Sequence, residues 1–213
     1  MAPAMSILHR LASNLGRRDE NPNQALAKEI AGSGNTGAIK ELIENLNNRD
    51  KAIQSDCIKV LYEIGEQKPA LISTYAKDFI ALLDSKNNRL QWGAMTALKT
   101  IAPENLTIIY AALPKLAAIA ETGSVITRDN YVFILIKLCS EKEYADNAFA
   151  LLHEQLLTCP ANQLPMYAEK ALAIINPKNR TRFVEAVSSR LDDLEKATKR
   201  DRIEKLLRKV QKK

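Results

Sequence analysis

Few residues of this chain have the types and spacings that do chemistry. Its two histidines, His9 and His153, have no partner set that would make a catalytic dyad or a ligand cluster. Cys57, Cys139 and Cys159 are odd in number and widely spaced, so neither a disulfide framework nor a four-ligand zinc site is expected. Cys57 and Cys139 fall at small apolar positions of helical patterns, where a free cysteine behaves as a small hydrophobe. The inferred compartment is therefore reducing and intracellular, and the expected location cytoplasmic. Gly32-Ser33-Gly34-Asn35-Thr36-Gly37 is glycine-rich but lacks a preceding strand and a GK[ST] ending, so it reads as a connector. HExxH, CxxC and GxSxG are absent, and Asp192-Asp193 and Glu141-Lys142-Glu143 read as solvated charge runs. No catalysis, cofactor or metal is expected.

What positions the remaining candidates is a repeat. The 13-residue segment from Ile53 to Gly65 reappears 37 residues on as Leu90–Ala102, then as Thr127–Cys139 and Leu164–Asn176, without a gap. Its apolar columns are Cys57/Ala94/Tyr131/Ala168, Val60/Ala97/Ile134/Ala171, Leu61/Leu98/Leu135/Leu172 and Ile64/Ile101/Leu138/Ile175. They sit at i, i+3, i+4 and i+7, one stripe of an α-helix. Each copy follows another apolar helical run, with Asn-, Asp- or Gly-bearing turns between. Pro69, Pro103 and Pro177 follow the second helix, where a proline can no longer extend it.

The predicted fold is all-α: a right-handed α-α superhelix of about six helical hairpins with a 37-residue repeat, forming one domain over residues 1–213. Residues 1–37 form an N-terminal capping pair, 38–177 four regular repeats, and 178–213 a C-terminal capping pair. Composition agrees: 46% hydrophobic and 26% charged residues suit a globular chain, and seven Gly and eight Pro argue against turn-dense β architectures. No apolar run approaches the roughly 20 residues that span a bilayer.

The stretches LIENLNNRDKAIQSDCIKVLYEIG (42–65) and FIALLDSKNNRLQWGAMTALKTIA (79–102) resemble the HEAT repeat of armadillo-type α-solenoids, and Leu113-Pro114-Lys115-Leu116 is similar to the proline-bearing first helix of that family. The resemblance runs from about Ser6 to Val210 and implies a binding scaffold more than any chemistry. One departure is that Gln54 and Gln91 stand where HEAT repeats often carry arginine. HEAT-like alkylpurine DNA glycosylases line their groove with Trp, an acid and basic groups. Here Trp92 is followed at i+4 by Thr96, Asp129 lies one repeat on, and the chain has one Trp and 5% aromatics, so that cradle is not expected.

The face of the second helices opposite the stripe is the predicted concave surface. It carries Lys59, Tyr62, Trp92, Thr96, Lys99, Asp129, Phe133, Lys137, Tyr167 and Lys170, with aromatics interleaved among lysines. An exposed apolar patch of this kind predicts a protein or peptide partner. Sideways packing between neighbouring repeats is the other reading of Trp92 and Phe133.

Charge is uneven. From Lys178 onward there are 13 Lys+Arg against 6 Asp+Glu, and before it 18 against 19. The last helix carries Lys199, Arg200, Arg202, Lys205, Arg208 and Lys209 opposite the stripe Ile203, Leu206, Leu207 and Val210. It reads as a polar cap on the solenoid, and nucleic-acid backbone, acidic protein or anionic membrane is the alternative partner for its charge. Residues 1–18 contain no acid and are amphipathic, loosely like a mitochondrial presequence. Ile7, Leu8, Leu11 and Leu15 favour a structural cap instead.

Overall fold

A computed structural model describes residues 6–211, and these are helical with no strand among them. Their α-helices are α1 (Asn21–Ser33), α2 (Thr36–Glu44), α3 (Lys51–Gln67), α4 (Ala76–Leu82), α5 (Asn88–Ile101), α6 (Leu106–Ala111), α7 (Leu113–Thr122), α8 (Val125–Cys139), α9 (Ala145–Thr158), α10 (Leu164–Ala171), α11 (Arg180–Ser188) and α12 (Ala197–Gln211). Two compact units divide the chain between Tyr131 and Val132, inside α8.

In the first unit, α1, α2 and α5 pack on α3, and α4 packs on α5 and α6. Its core is the predicted stripe: Cys57, Val60, Leu61, Ile64, Ala94, Ala97, Leu98 and Ile101 are fully buried. In the second unit α9 packs against α10 and α11, and α12 against α10 and α11. Leu135, Leu138, Ala168 and Ala171 are buried there, with Phe183, Ile203 and Val210 from the last two helices.

Helix starts follow from local chemistry. An orphan N–H at a helix N-terminus is satisfied by a side-chain oxygen just ahead of it. Asp50 accepts from the Ala52 amide at 2.7 Å, and Asn87 from the Arg89 amide at 3.0 Å. Ser124 Oγ accepts from the Thr127 amide at 3.2 Å. These three caps lie 37 residues apart, and α3, α5 and α8 start at the same interval. The next position in the series is Ala161, which cannot cap, and α10 begins only at Leu164 without a side-chain cap.

The column of Gln54, Gln91 and Arg128 has a common task. Gln54 Nε2 donates to the Asn48 carbonyl at 2.7 Å and Gln91 Nε2 to the Leu83 carbonyl at 3.1 Å. Arg128 donates to the Ala120 and Glu121 carbonyls at 3.3 and 3.1 Å. Each ties the start of one helix to the end of the helix before it. Pro165 holds this place in α10 and has no side-chain donor. Arg190, beyond α11, supplies the bonds instead: its guanidinium donates to the carbonyls of Leu156, Leu157 and Cys159 at 3.0, 2.9 and 2.9 Å.

The N-terminal capping pair is corrected. Its first member is a single 3-10 turn, Leu8–Arg10, followed by turns to Gly16, where φ is +67°. Polar groups pull the backbone out of helix. The Ser13 amide donates to Asp56 at 2.8 Å, the Ala12 amide to Asn23 at 3.0 Å, and Asn14 to the Leu8 carbonyl at 2.7 Å. Asn23 in turn donates to Asp56 at 2.7 Å. Leu11 is buried as expected, but Leu15 is 53% exposed, so the stripe ends there. Residues 1–5 of the presequence-like stretch lie outside the described residues. Gly34, with φ +68°, closes α1, and Asn35 opens α2 by accepting from the Ala38 amide at 3.0 Å, which makes the glycine-rich segment a helix junction.

Three further differences concern boundaries. A short helix, α6, occupies the connection before Leu113, where no element was expected. Helix α10 stops at Ala171 and continues as a 3-10 turn, Leu172–Ile174. Leu191, expected in the stripe of α11, lies in the separate 3-10 turn Leu191–Asp193.

Candidate functional site

The predicted concave residues of the first unit come together on α3 and α5, but not as an open groove. Lys59 and Tyr62 are each 8% exposed. The Lys59 ammonium lies 2.7 Å from Glu63 and 3.0 Å from Glu20, and 4.9 Å from the centre of the Tyr62 ring. Burial works against its charge, but the bonds to Glu63 and Tyr62 outweigh it and hold its pKa above the ordinary lysine value. Burial likewise pushes the Tyr62 phenol up. The Tyr62 and Trp92 rings are tilted at 48° with centroids 5.9 Å apart, a favourable aromatic pairing. The Arg89 guanidinium lies 5.4 Å from the Trp92 ring centre and pairs with Glu20.

Half-buried Trp92 is therefore flanked by Tyr62 and Arg89, and Lys59 and Tyr62, expected on an open face, are packed away from solvent. Thr96 donates to the Trp92 carbonyl at 2.8 Å and accepts from Asn130 at 2.9 Å. Lys99, also half-buried, pairs with Glu66. Asp129 is half-buried on α8, which also exposes Val125 (53%) and Ile126 (45%) at its start.

In the second unit Phe133 and Lys137 are half-buried and Lys170 is exposed. Tyr167 is corrected: it is fully buried, in a column whose other members Asp56, Gly93 and Asn130 are buried too, and it offers a partner no surface.

The basic helix α12 keeps its predicted stripe, with Ile203, Leu206, Leu207 and Val210 buried. Several of its cations are already engaged. Lys199 donates to Asn162 at 2.5 Å, and Arg202 holds Glu169 through two bonds of 2.9 and 2.7 Å. The Arg202 bonds draw the Glu169 carboxyl below its usual range. Arg200 lies 3.5 Å from Asp192 and Arg208 3.8 Å from Glu204. Lys205 and Lys209 are exposed and form no ion pair among the described residues.

Sequence reasoning missed Glu20, Arg89 and Arg190. Glu20 and Arg190 come from outside the repeated columns they serve, so periodicity carries no signal for them. Among the described residues no group of three or more His, Cys, Asp or Glu could hold a metal ion. Burial raises the thiol pKa of Cys57 and of Cys139 to about 12, so neither is a ready nucleophile near neutral pH. No described helix is long and apolar enough to cross a membrane.

These features define an all-helical protein with a packed charged-aromatic cluster in one unit and a basic face in the other. No family model matches the chain. It is 29% identical over 126 residues to an uncharacterized protein of Methanocaldococcus jannaschii, a match covering 59% of this chain and 54% of that one. The chain thus spans about half the length of that relative. Two crystal structures of engineered proteins share the fold. One has a TM-score of 0.63 at 22% identity, covering 98% of this chain and 100% of the other. The second has 0.62 at 20%, covering 98% of each.

Proposed function

We propose that the chain is a HEAT-type right-handed α-solenoid that acts in the cytoplasm as a non-catalytic, protein-binding scaffold. The 37-residue interval of helix starts and caps at Asp50, Asn87 and Ser124 supports the repeat. The observation that carries the binding role is the exposed pair Val125 and Ile126, large apolar side chains in water at the start of a second helix. Trp92, Thr96, Lys99 and Asp129 complete this surface in the first unit, and Phe133, Lys137 and Lys170 are the candidate partner contacts of the second unit by itself. The test compares partners captured from native lysate by the wild type and by Val125→Asp/Ile126→Asp. Surface changes should leave the unfolding midpoint nearly unmoved. A partner lost only by the variant supports the reading, and an unchanged set of partners refutes it.

The unpaired Lys205 and Lys209 favour a second reading, weak nucleic-acid binding without sequence preference. A steep fall of affinity with salt would mark it, and absence of binding at low salt would end it.

A further inference from the structure

We infer that Lys59 and Arg89 form a binding site for a carboxylate side chain of a protein partner, and that Glu20 holds this site closed as an internal stand-in. The inference rests on the reading of Trp92, Val125 and Ile126 as a partner surface and names the chemistry that the surface takes.

Glu20 stands just ahead of α1, where a side-chain oxygen could cap the helix, yet it makes no cap bond. Its carboxylate turns to α3 and α5 instead and bridges the Lys59 ammonium, at 3.0 Å, and the Arg89 guanidinium. The Tyr62 and Trp92 rings back these two cations, with centres 4.9 and 5.4 Å away. The fit of Glu20 is incomplete: its Oε2 is enclosed and in ion-pair contact but accepts no hydrogen bond. Its tether is also loosely held. Residues 14–19 are exposed, and their hydrogen bonds among the described residues run only to residues 8–21. Gly16, at φ +67°, has open space around it. Glu20 can therefore withdraw while α1 and α3 stay packed.

The charge left behind selects the ligand. Against the opposing effect of burial, Glu63 and Tyr62 hold up the charge of Lys59, so it persists when Glu20 leaves. Lys59 and Arg89 then face Glu63 alone, a surplus of one positive charge. A carboxylate matches that surplus, whereas a phosphoryl group brings up to two negative charges. The neighbouring surface adds an apolar requirement. Thr96 donates to the Trp92 carbonyl and accepts from Asn130, which also donates to the Ile126 carbonyl at 3.0 Å. Trp92 and Ile126 thus stand one turn nearer the starts of two joined helices, with Val125 beside Ile126. The fitting segment carries an acidic residue next to large aliphatic ones.

Trp92 is the one tryptophan of the chain, so its fluorescence reports on this site. The full chain is titrated with an amidated peptide of alternating Leu and Glu, and with the same peptide carrying Gln for Glu. Glu20→Ala should bind the Glu peptide about tenfold more tightly than the wild type, which must first release its own carboxylate. Glu20→Gln, which keeps the volume and removes the charge, serves where Glu20→Ala disturbs folding. Adding Lys59→Gln or Arg89→Gln to the Glu20 variant should weaken binding about tenfold, the loss of one charge-assisted contact. Arg89 is 39% exposed, so its variant keeps the comparison valid where Lys59→Gln disturbs packing. Glu169→Ala, which frees Arg202 in the other unit, should leave the Trp92 response as in the wild type. Equal affinity of the wild type and both Glu20 variants, or equal binding of the Glu and Gln peptides, would overturn the inference. So would a single-stranded oligonucleotide that binds the Glu20 variant more tightly than the Glu peptide, which would make the ligand a phosphate. The two readings fail separately. A lysate partner lost in Val125→Asp/Ile126→Asp without any peptide binding keeps the scaffold and sinks the carboxylate site.

Discussion

Replacing Arg190 by Met should unfasten the end of α9 while keeping most of the aliphatic stem in place. The guanidinium donates to three carbonyls, at 3.0, 2.9 and 2.9 Å, and its side chain is only 15% exposed. Of the three acceptors, Leu157 is a half-open position whose carbonyl water can reach, whereas Leu156 and Cys159 are buried residues. Two buried carbonyls left without this donor cost about 1–3 kcal/mol each. The expected loss is therefore about 2–6 kcal/mol, read as a lower urea midpoint by far-ultraviolet circular dichroism. Asp193, the ion-pair partner, is 48% exposed, so Asp193→Asn should cost less than about 1 kcal/mol. Arg190→Lys should recover part of the loss, because one ammonium cannot face three carbonyls with the geometry of a fork. Hydrogen exchange adds a local readout, since amides in the last turn of α9 should lose protection first. A loss below about 1 kcal/mol with unchanged protection would refute the assignment of Arg190 as the clasp of α9.

Two other expectations concern the core. A methyl group added at Gly93 would sit 2.7 Å from Ile58 Cγ1 across the α3–α5 interface, so Gly93→Ala should cost about 1–3 kcal/mol despite its better helix propensity. Combining it with Ile58→Ala should cost less than the sum of the two, and simple additivity in a double-mutant cycle would count against the close approach. Because Cys57 and Cys139 titrate at about 12 in the fold and near 8.5 when unfolded, their contribution is intact below about pH 8.5 and declines as pH rises toward 12. The fall in urea midpoint between pH 8 and 10 should be smaller in Cys57→Ala/Cys139→Ala than in the wild type, and equal falls would contradict the raised pKa values.

The apolar stripes were legible in the sequence because burial along a helix leaves a period that survives in composition alone. Leu61, Leu98 and Leu135 sit where that period puts them. What escaped was whatever depends on a group arriving from elsewhere. Period alone places Lys59 and Tyr62 opposite the stripe and so in water, yet Glu20, from just ahead of α1, closes over Lys59. Leu8, Leu11 and Leu15 carry a helical spacing, but Asp56 and Asn23 offer the backbone of Ala12 and Ser13 better bonds than a helix would. Tyr167 is a further case: its column is buried at Asp56, Gly93 and Asn130 as well, so a position that flanks the stripe reads as one that opposes it.

The series Gln54, Gln91, Arg128 and then Pro165 has a consequence for how the chain could be cut or extended. At α3, α5 and α8, the join to the preceding helix is made by a residue inside the incoming helix itself. A segment such as 51–87 therefore carries its own fastener, and a duplicate of it would arrive ready to attach. The segment beginning at Ala161 does not, because its fastener is Arg190, lent back from beyond α11. Chain ends placed before residue 190 would strip a helix that closed 32 residues earlier, at Thr158. The early part of the protein is thus a set of self-contained parts, whereas residues 145–193 can only be kept or removed together.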